Sequence, residues 1–198
     1  MSRGTGRGER RVHSVERERP WALIIAGAIA AAVILALVVV IFIDSRQQAS
    51  STAPEGVEEF DVGGAGQHTE GTVEYAQNPP AGGEHHPNWQ NCGFYTQPVR
   101  NETAVHSLEH GAVWITYSPD LPADQLETIG QLATNQSYVL ASPYEDLPSP
   151  IVASAWGYQL QLDSANDPAL EQFLRAYVQG PQTPEPGAAC TGGVGTPS

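Results

Sequence analysis

The sequence predicts an α+β protein: a single N-terminal transmembrane helix, a flexible linker, and a small β-α-β-β-α sheet-and-helix domain preceded by an irregular Pro/Gly-rich segment. Three observations carry that prediction. Ala22 to Ile43 is apolar without a charged residue, apolar runs alternate with helical periods between Ala112 and Gly180, and NPPAGGEHHPNWQNCGFYTQP is dense in proline and glycine. Over 198 residues the expected division is a basic cytoplasmic arm at 1–20, the span at 21–43 and the linker at 44–70. An exported domain at 71–180 and a Pro/Gly-rich tail at 181–198 complete it.

Each element has its own reason. At ~1.5 Å rise per residue, the apolar run crosses the ~30 Å hydrocarbon core as a helix. It exceeds the ~7–15 residues of a cleavable signal and runs into Asp44-Ser45-Arg46, which favours an uncleaved anchor. Six arginines against three glutamates in residues 1–19 place the N-terminus in the cytoplasm and the rest outside, with Trp21 at the interface. Ala112 to Tyr117 (AVWITY) is apolar and β-branched and ends at Ser118-Pro119, as a buried strand does. Pro122 to Asn135 is a helix with Leu126, Ile129, Leu132 and Ala133 on one face. Tyr138 to Ala141 is a second strand, and Ile151 to Leu162 holds a third, with Tyr158, Leu160 and Leu162 alternating with glutamines. Asp167 as N-cap and Pro168 at the first position start a last helix carrying Leu170, Phe173, Leu174, Tyr177 and Val178 inward. The first two strands, joined by a helix, are expected parallel, and the third antiparallel to the second; both helices cover one face.

Charge and cysteine content narrow the function. From Gln47 onward, eighteen acidic residues face two arginines, Arg100 and Arg175, and the chain has no lysine. Such a surface repels phosphate backbones, which excludes nucleic acid as a partner, and attracts cations. The acids also keep an exported domain soluble without any ligand. Outside the cytoplasm, Cys92 and Cys190 are expected to pair as a disulfide and pin the tail to the domain. Cys92 as a metal ligand beside the histidines is the rival reading.

The chemistry concentrates in VHSLEHG, residues 105–111. On a strand His106 and His110 would lie ~13 Å apart; on a helix they stack one turn apart, ~5–6 Å between Cβ atoms. A two-turn helix, capped by Asn101 or Thr103 and ended by Gly111, sets both imidazoles at its C-terminal end, where the dipole favours a cation. His85 and His86 lie in the loop GGEHHPNW, where adjacent side chains diverge, so one of the pair reaches the same site. Three imidazoles with Glu109, Glu84 or water form an N₃O set suited to Zn(II) or Cu(II). Met1 is the only methionine, which rules out a thioether-rich Cu(I) site. Three readings follow. The histidines bind a transition metal, or they satisfy backbone groups in a structural module, or His106-Ser107-Leu108-Glu109-His110 is the H-x-x-E-H of a zinc peptidase. Gly111 and the strand after it argue against the long helix that peptidase chemistry needs, so no catalytic residue is assigned. Trp89, Phe94 and Tyr95 either wall a ligand pocket or form a small core.

Tyr75, Asn78-Pro79-Pro80, Gly82-Gly83-Glu84-His85-His86-Pro87, Cys92-Gly93-Phe94-Tyr95 and His106-Ser107-Leu108-Glu109-His110-Gly111, followed by Tyr117, resemble one bacterial family. This is the domain of unknown function 3105, found in membrane-anchored or exported, notably actinobacterial, proteins. The resemblance covers about residues 70–180, and HSLEHG is its most specific motif. It implies an envelope location and a shared site for these residues, and no particular reaction. The expected protein is therefore a single-pass anchor displaying a domain that binds metal through His106, His110, His85 or His86, and Glu109. Its roles would be those of a metallochaperone, a sensor or an accessory subunit of an envelope protein complex.

Overall fold

The computed structural model describes residues 21–49 and 52–198; the basic arm expected at 1–20 lies outside them. The chain divides into two compact units at Ile43 and Asp44. Helix α1 runs Trp21–Ala49, longer than the apolar stretch alone. Among the described residues it is the helix long and apolar enough to cross a membrane. Its 29 residues cover about 44 Å at 1.5 Å each. Every side chain described in it is exposed, isoleucines and valines included.

The second unit is a six-stranded mixed sheet flanked by helices. Its strands are β1 (Glu58–Glu59), β2 (Gly93–Phe94), β3 (Val113–Tyr117), β4 (Val139–Pro143), β5 (Ile151–Ala155) and β6 (Tyr158–Leu162). Its helices are α2 (Asn101–Glu109), α3 (Ala123–Asn135) and α4 (Pro168–Tyr177). In space the strands run β1-β6-β5-β3-β4-β2. As expected, α3 joins the parallel pair β3 and β4. The α4 start is also as expected: the Asp167 carboxylate accepts the Ala169 N–H at 2.8 Å, with Pro168 at the first position.

The stretch 151–162 departs from expectation. It is two strands, turning at Trp156-Gly157 with Gly157 at φ +77°, a conformation glycine adopts without penalty. Neither strand pairs with β4. β5 lies antiparallel to β3, while the outer edge of β4 takes β2 in parallel. Strand order depends on pairings between segments distant in the chain, which local alternation does not encode.

The central strands β3, β4 and β5 are buried at every position. Val113, Ile115 and Tyr117 pack with Ile129, Leu170 and Phe173 beneath α3 and α4. Trp114 and Leu140 turn to the opposite face, against Val105 and Leu108 of α2, with Tyr95 and Trp156. Strands covered on both faces read as unbroken apolar runs, which is why AVWITY lacks alternation. The two helices anticipated from periodicity do share one face; α2 covers the other.

Helix α2 is buried from Glu102 to Glu109. Val105 and Leu108, each 0% exposed, stabilise it by about 1.5–3 kcal/mol apiece, which offsets burying the polar residues of its other side. That polar side meets the Pro/Gly-rich segment through several hydrogen bonds. The His86 N–H donates to the Glu102 carbonyl, the Gln90 N–H to the Thr103 carbonyl, and the Ser107 hydroxyl to the Gln90 carbonyl. Neither expected cap is used: Arg100 is the N-cap, and the Thr103 hydroxyl donates to Gln90 Oε1 at 3.0 Å. The helix ends as foreseen, with Gly111 at φ +90° and its N–H donating to the Leu108 carbonyl.

Cys92 and Cys190 form a disulfide, and among the described residues no cysteine is free. The tail it holds runs beside residues 89–94, with the Asn91 N–H donating to the Val194 carbonyl and the Ser198 N–H to that of Phe94.

Candidate metal centre

Helical spacing brings His106 and Glu109, three positions apart, to one side of α2, and the hydrogen bonds to residues 86–90 lay the His85 loop along it. Four residues converge: His68, His85, His106 and Glu109, whose ligand atoms all lie within 4.8 Å of one another. A tetrahedral zinc site with bonds of about 2.0–2.1 Å holds its ligand atoms about 3.3 Å apart, so modest inward motion closes this set on an ion.

The orientation of each imidazole follows from its other nitrogen. His85 Nδ1 faces the Gly83 carbonyl at 2.7 Å, and His106 Nδ1 faces the His86 carbonyl at 2.6 Å. A nitrogen against a carbonyl carries the proton, so Nε2 of each ring is the lone pair whenever that ring is neutral. Glu109 is divided in the same way. Oε1 accepts the Gly66 N–H at 2.6 Å, while Oε2 lies 2.9 Å from His85 Nε2 and 3.9 Å from His68 Nε2.

His85 and Glu109 are both 0% exposed. His85 Nε2 and Glu109 Oε2 meet as a close ion pair without the directionality of a hydrogen bond. Two fully buried polar atoms held this way are costly unless something satisfies both. Trp156 stands edge-on to His85, and Trp89 packs against His106 and His110, so the inner walls are aromatic.

Electrostatics distinguish the members. Burial opposes a charge on His85, but Glu109 and the Gly83 carbonyl outweigh it and hold its pKa above the usual imidazole range. For Glu109, burial alone would raise the carboxyl; His85 and the Gly66 N–H hold it below the usual carboxylate range. His106 is pushed down to about 4, chiefly by burial and then by the neighbouring His110 and His85, against the pull of the His86 carbonyl. At neutral pH His106 is a neutral donor, ready for a cation without first losing a proton.

Of the residues anticipated from sequence, the fold groups His106, His85 and Glu109, and does not bring His86 or His110 into that group. The ring of His86 accepts the Asn88 N–H at 2.9 Å; its contribution is the backbone carbonyl that orients His106. His110 does lie against His106, ring centroids 4.5 Å apart, as the four-residue spacing implies. Its Nδ1, however, donates to the Ala189 carbonyl at 2.7 Å, and its Nε2 faces Glu185 at 3.6 Å. Sequence reasoning missed His68, because AGQHTEG around it has the composition of a spacer. A parallel bridge pairs it with His85, the Thr69 N–H donating to the His85 carbonyl and the His85 N–H to that of Gln67. Its ring then stacks on His106 at 5.1 Å. The aromatic trio splits: Tyr95 is core, Phe94 stacks on Tyr117, and Trp89 walls the histidines.

A family model described as "Protein of unknown function (DUF3105)" matches residues 67–192, a stretch that holds all four converging residues and both cysteines. No curated protein and no solved structure matches the chain.

Proposed function

The chain belongs to the DUF3105 family, and from the geometry of its buried cluster we propose that its domain binds a divalent transition metal, Zn(II) or Cu(II), through His68, His85, His106 and Glu109. Helix α1 anchors this domain to the cell membrane, with the N-terminus cytoplasmic and the domain outside. The disulfide fits that side of the membrane, where thiols are oxidised. One observation carries the metal reading: the ligand atoms of His68, His85, His106 and Glu109 lie within 4.8 Å of one another, with His85 and Glu109 fully buried. Three imidazoles and a carboxylate suit zinc and copper and leave calcium and magnesium disfavoured. A domain of this kind serves as a metallochaperone, a sensor or the metal-bearing accessory subunit of an envelope complex. H-x-x-E-H peptidase chemistry fits poorly, since it requires His110 as a ligand and Glu109 free to activate water. Here His110 is turned to Ala189, and Glu109 is held by Gly66.

The 2.9 Å approach of His85 to Glu109 also favours a second reading, a metal-free buried ion pair serving structure alone. Metal analysis separates the two. Full-length protein in detergent is exposed to Zn(II) or Cu(II), desalted and assayed beside His106→Ala and His110→Ala. The expected result is one equivalent of metal in wild type and His110→Ala, and a large loss in His106→Ala. Equally little metal in all three samples sinks the metal reading.

A further inference from the structure

We propose that the site works as a clamp: His68 is its solvent-side, exchangeable ligand, and a bound ion fastens the segment Gly66–Thr69 onto α2. This rests on the metal reading above and adds to it what loading does to the protein.

The four members are unequal. His85, Glu109 and His106 belong to the body of the domain and are 0–5% exposed, whereas the His68 side chain is 39% exposed. An ion arriving from solvent meets His68 first and leaves past it. The segment bearing His68 connects, in sequence, the membrane helix to the domain, and it is thinly attached. β1 on β6 and the Phe60 N–H on the Gly157 carbonyl hold its start. Beyond them Val62 packs against the cluster under α2, and residues 63–68 are then all exposed, with no apolar side chain inserted in the core. What keeps Gly66–Thr69 down is the Gly66 N–H on Glu109 Oε1, the two-bond bridge to His85, and the contacts of the His68 ring with His85 and His106, with Arg100 holding the Glu70 and Gly71 carbonyls just beyond. Segments with so little buried apolar area are the ones that open locally.

Coordination would change that balance at two points. His68 Nε2, 3.9 Å from Glu109 Oε2, already points into the cluster, so joining the ion needs little rearrangement. Glu109 touches the segment with one oxygen and the ion position with the other, so a single rigid carboxylate joins the two events. Linkage makes the coupling reciprocal: the factor by which the ion favours the closed segment equals the factor by which the closed segment tightens the ion.

Hydrogen exchange on the full-length chain in detergent, with and without saturating Zn(II), tests this beside titrations of Zn(II) affinity. In wild type, Zn(II) slows exchange at the Gly66 and Thr69 amides by at least about tenfold. His68→Ala still binds Zn(II) through the three buried ligands, weaker by the factor of about tenfold or more that linkage assigns to the segment, and its segment gains no protection. The affinity ratio and the protection ratio agree within error. Tight Zn(II) binding with unchanged exchange in wild type, or full affinity in His68→Ala, overturns the clamp and leaves the metal site standing. Absence of Zn(II) binding to folded wild type overturns the metal reading itself, and the clamp with it.

Discussion

Replacing Glu109 by glutamine separates a metal ligand from a structural ion pair with one substitution. The amide keeps the shape of the carboxylate, and its oxygen can still accept the Gly66 N–H. Its nitrogen can donate to His85 Nε2 once that ring is neutral, so the metal-free variant loses about 1 kcal/mol or less. The anionic ligand is gone, however. Zn(II) held free at a hundred times the wild-type dissociation constant stabilises the wild type by about 2.7 kcal/mol. For a domain of this size that raises Tm by about 5–11 °C. If the variant binds a hundredfold more weakly, the same Zn(II) contributes only about 0.4 kcal/mol, or 1–2 °C. Thermal unfolding with Zn(II) and with chelator, followed by near-ultraviolet circular dichroism, reads all four states. Equal shifts in both proteins would refute Glu109 as a ligand. No shift in either, with the variant about 3–5 kcal/mol less stable in chelator, would establish the buried pair instead.

Three further outcomes follow from the same structure. Gly111→Ala forces a side chain to φ +90°, with a Cβ 2.8 and 2.9 Å from Thr183 atoms and against the Gln179 amide; the urea midpoint should fall by the equivalent of about 1–3 kcal/mol. Replacing both Cys92 and Cys190 by alanine removes a crosslink across 98 residues and should cost up to about 4.7 kcal/mol in the chain-entropy picture, with the segment after Gln182 cut first in limited proteolysis. For Glu102, burial raises the carboxyl, but the Val73 N–H and Arg100 outweigh it and hold its pKa below the usual range. A depressed carboxyl stabilises the fold above its unfolded pKa and loses that contribution as pH falls through the folded one. Arg100→Gln should therefore move the acid-unfolding midpoint to higher pH, read by fluorescence; an unmoved midpoint counts against this pairing.

The parts legible in sequence were those whose signal is local. Ile129 and Ala133 on α3, and Phe173 and Tyr177 on α4, repeat at helical spacing because one face of each helix is buried. Asp167-Pro168 marked a helix start because the cap and the fixed φ act within two residues. With only two cysteines in the chain, the Cys92–Cys190 partnership followed once they were taken as oxidised. Failures came where the deciding partner was distant. The β5–β6 turn at Gly157 is tied to the distant Phe60 and Ala81 backbone, and the pairing of β5 with β3 rests on an edge that the β3–β4 unit leaves open.

The candidate site shows the same division. By itself the sequence determined that His106 and His110 stack one turn apart, because an α-helix places positions four apart side by side whatever surrounds it. It also determined that a His-bearing loop upstream would be irregular. Which imidazoles point inward was decided only by the tertiary structure. A ring turns according to the carbonyl its Nδ1 finds, and those carbonyls belong to Gly83, His86 and Ala189, two of them supplied across distant chain. That is why His110, adjacent to His106 on the helix, faces the tail. It is also why His68, seventeen residues before His85 in a stretch that reads as spacer, stands among the converging four: backbone pairing with the His85 strand, and no property of its own neighbours, carries it there.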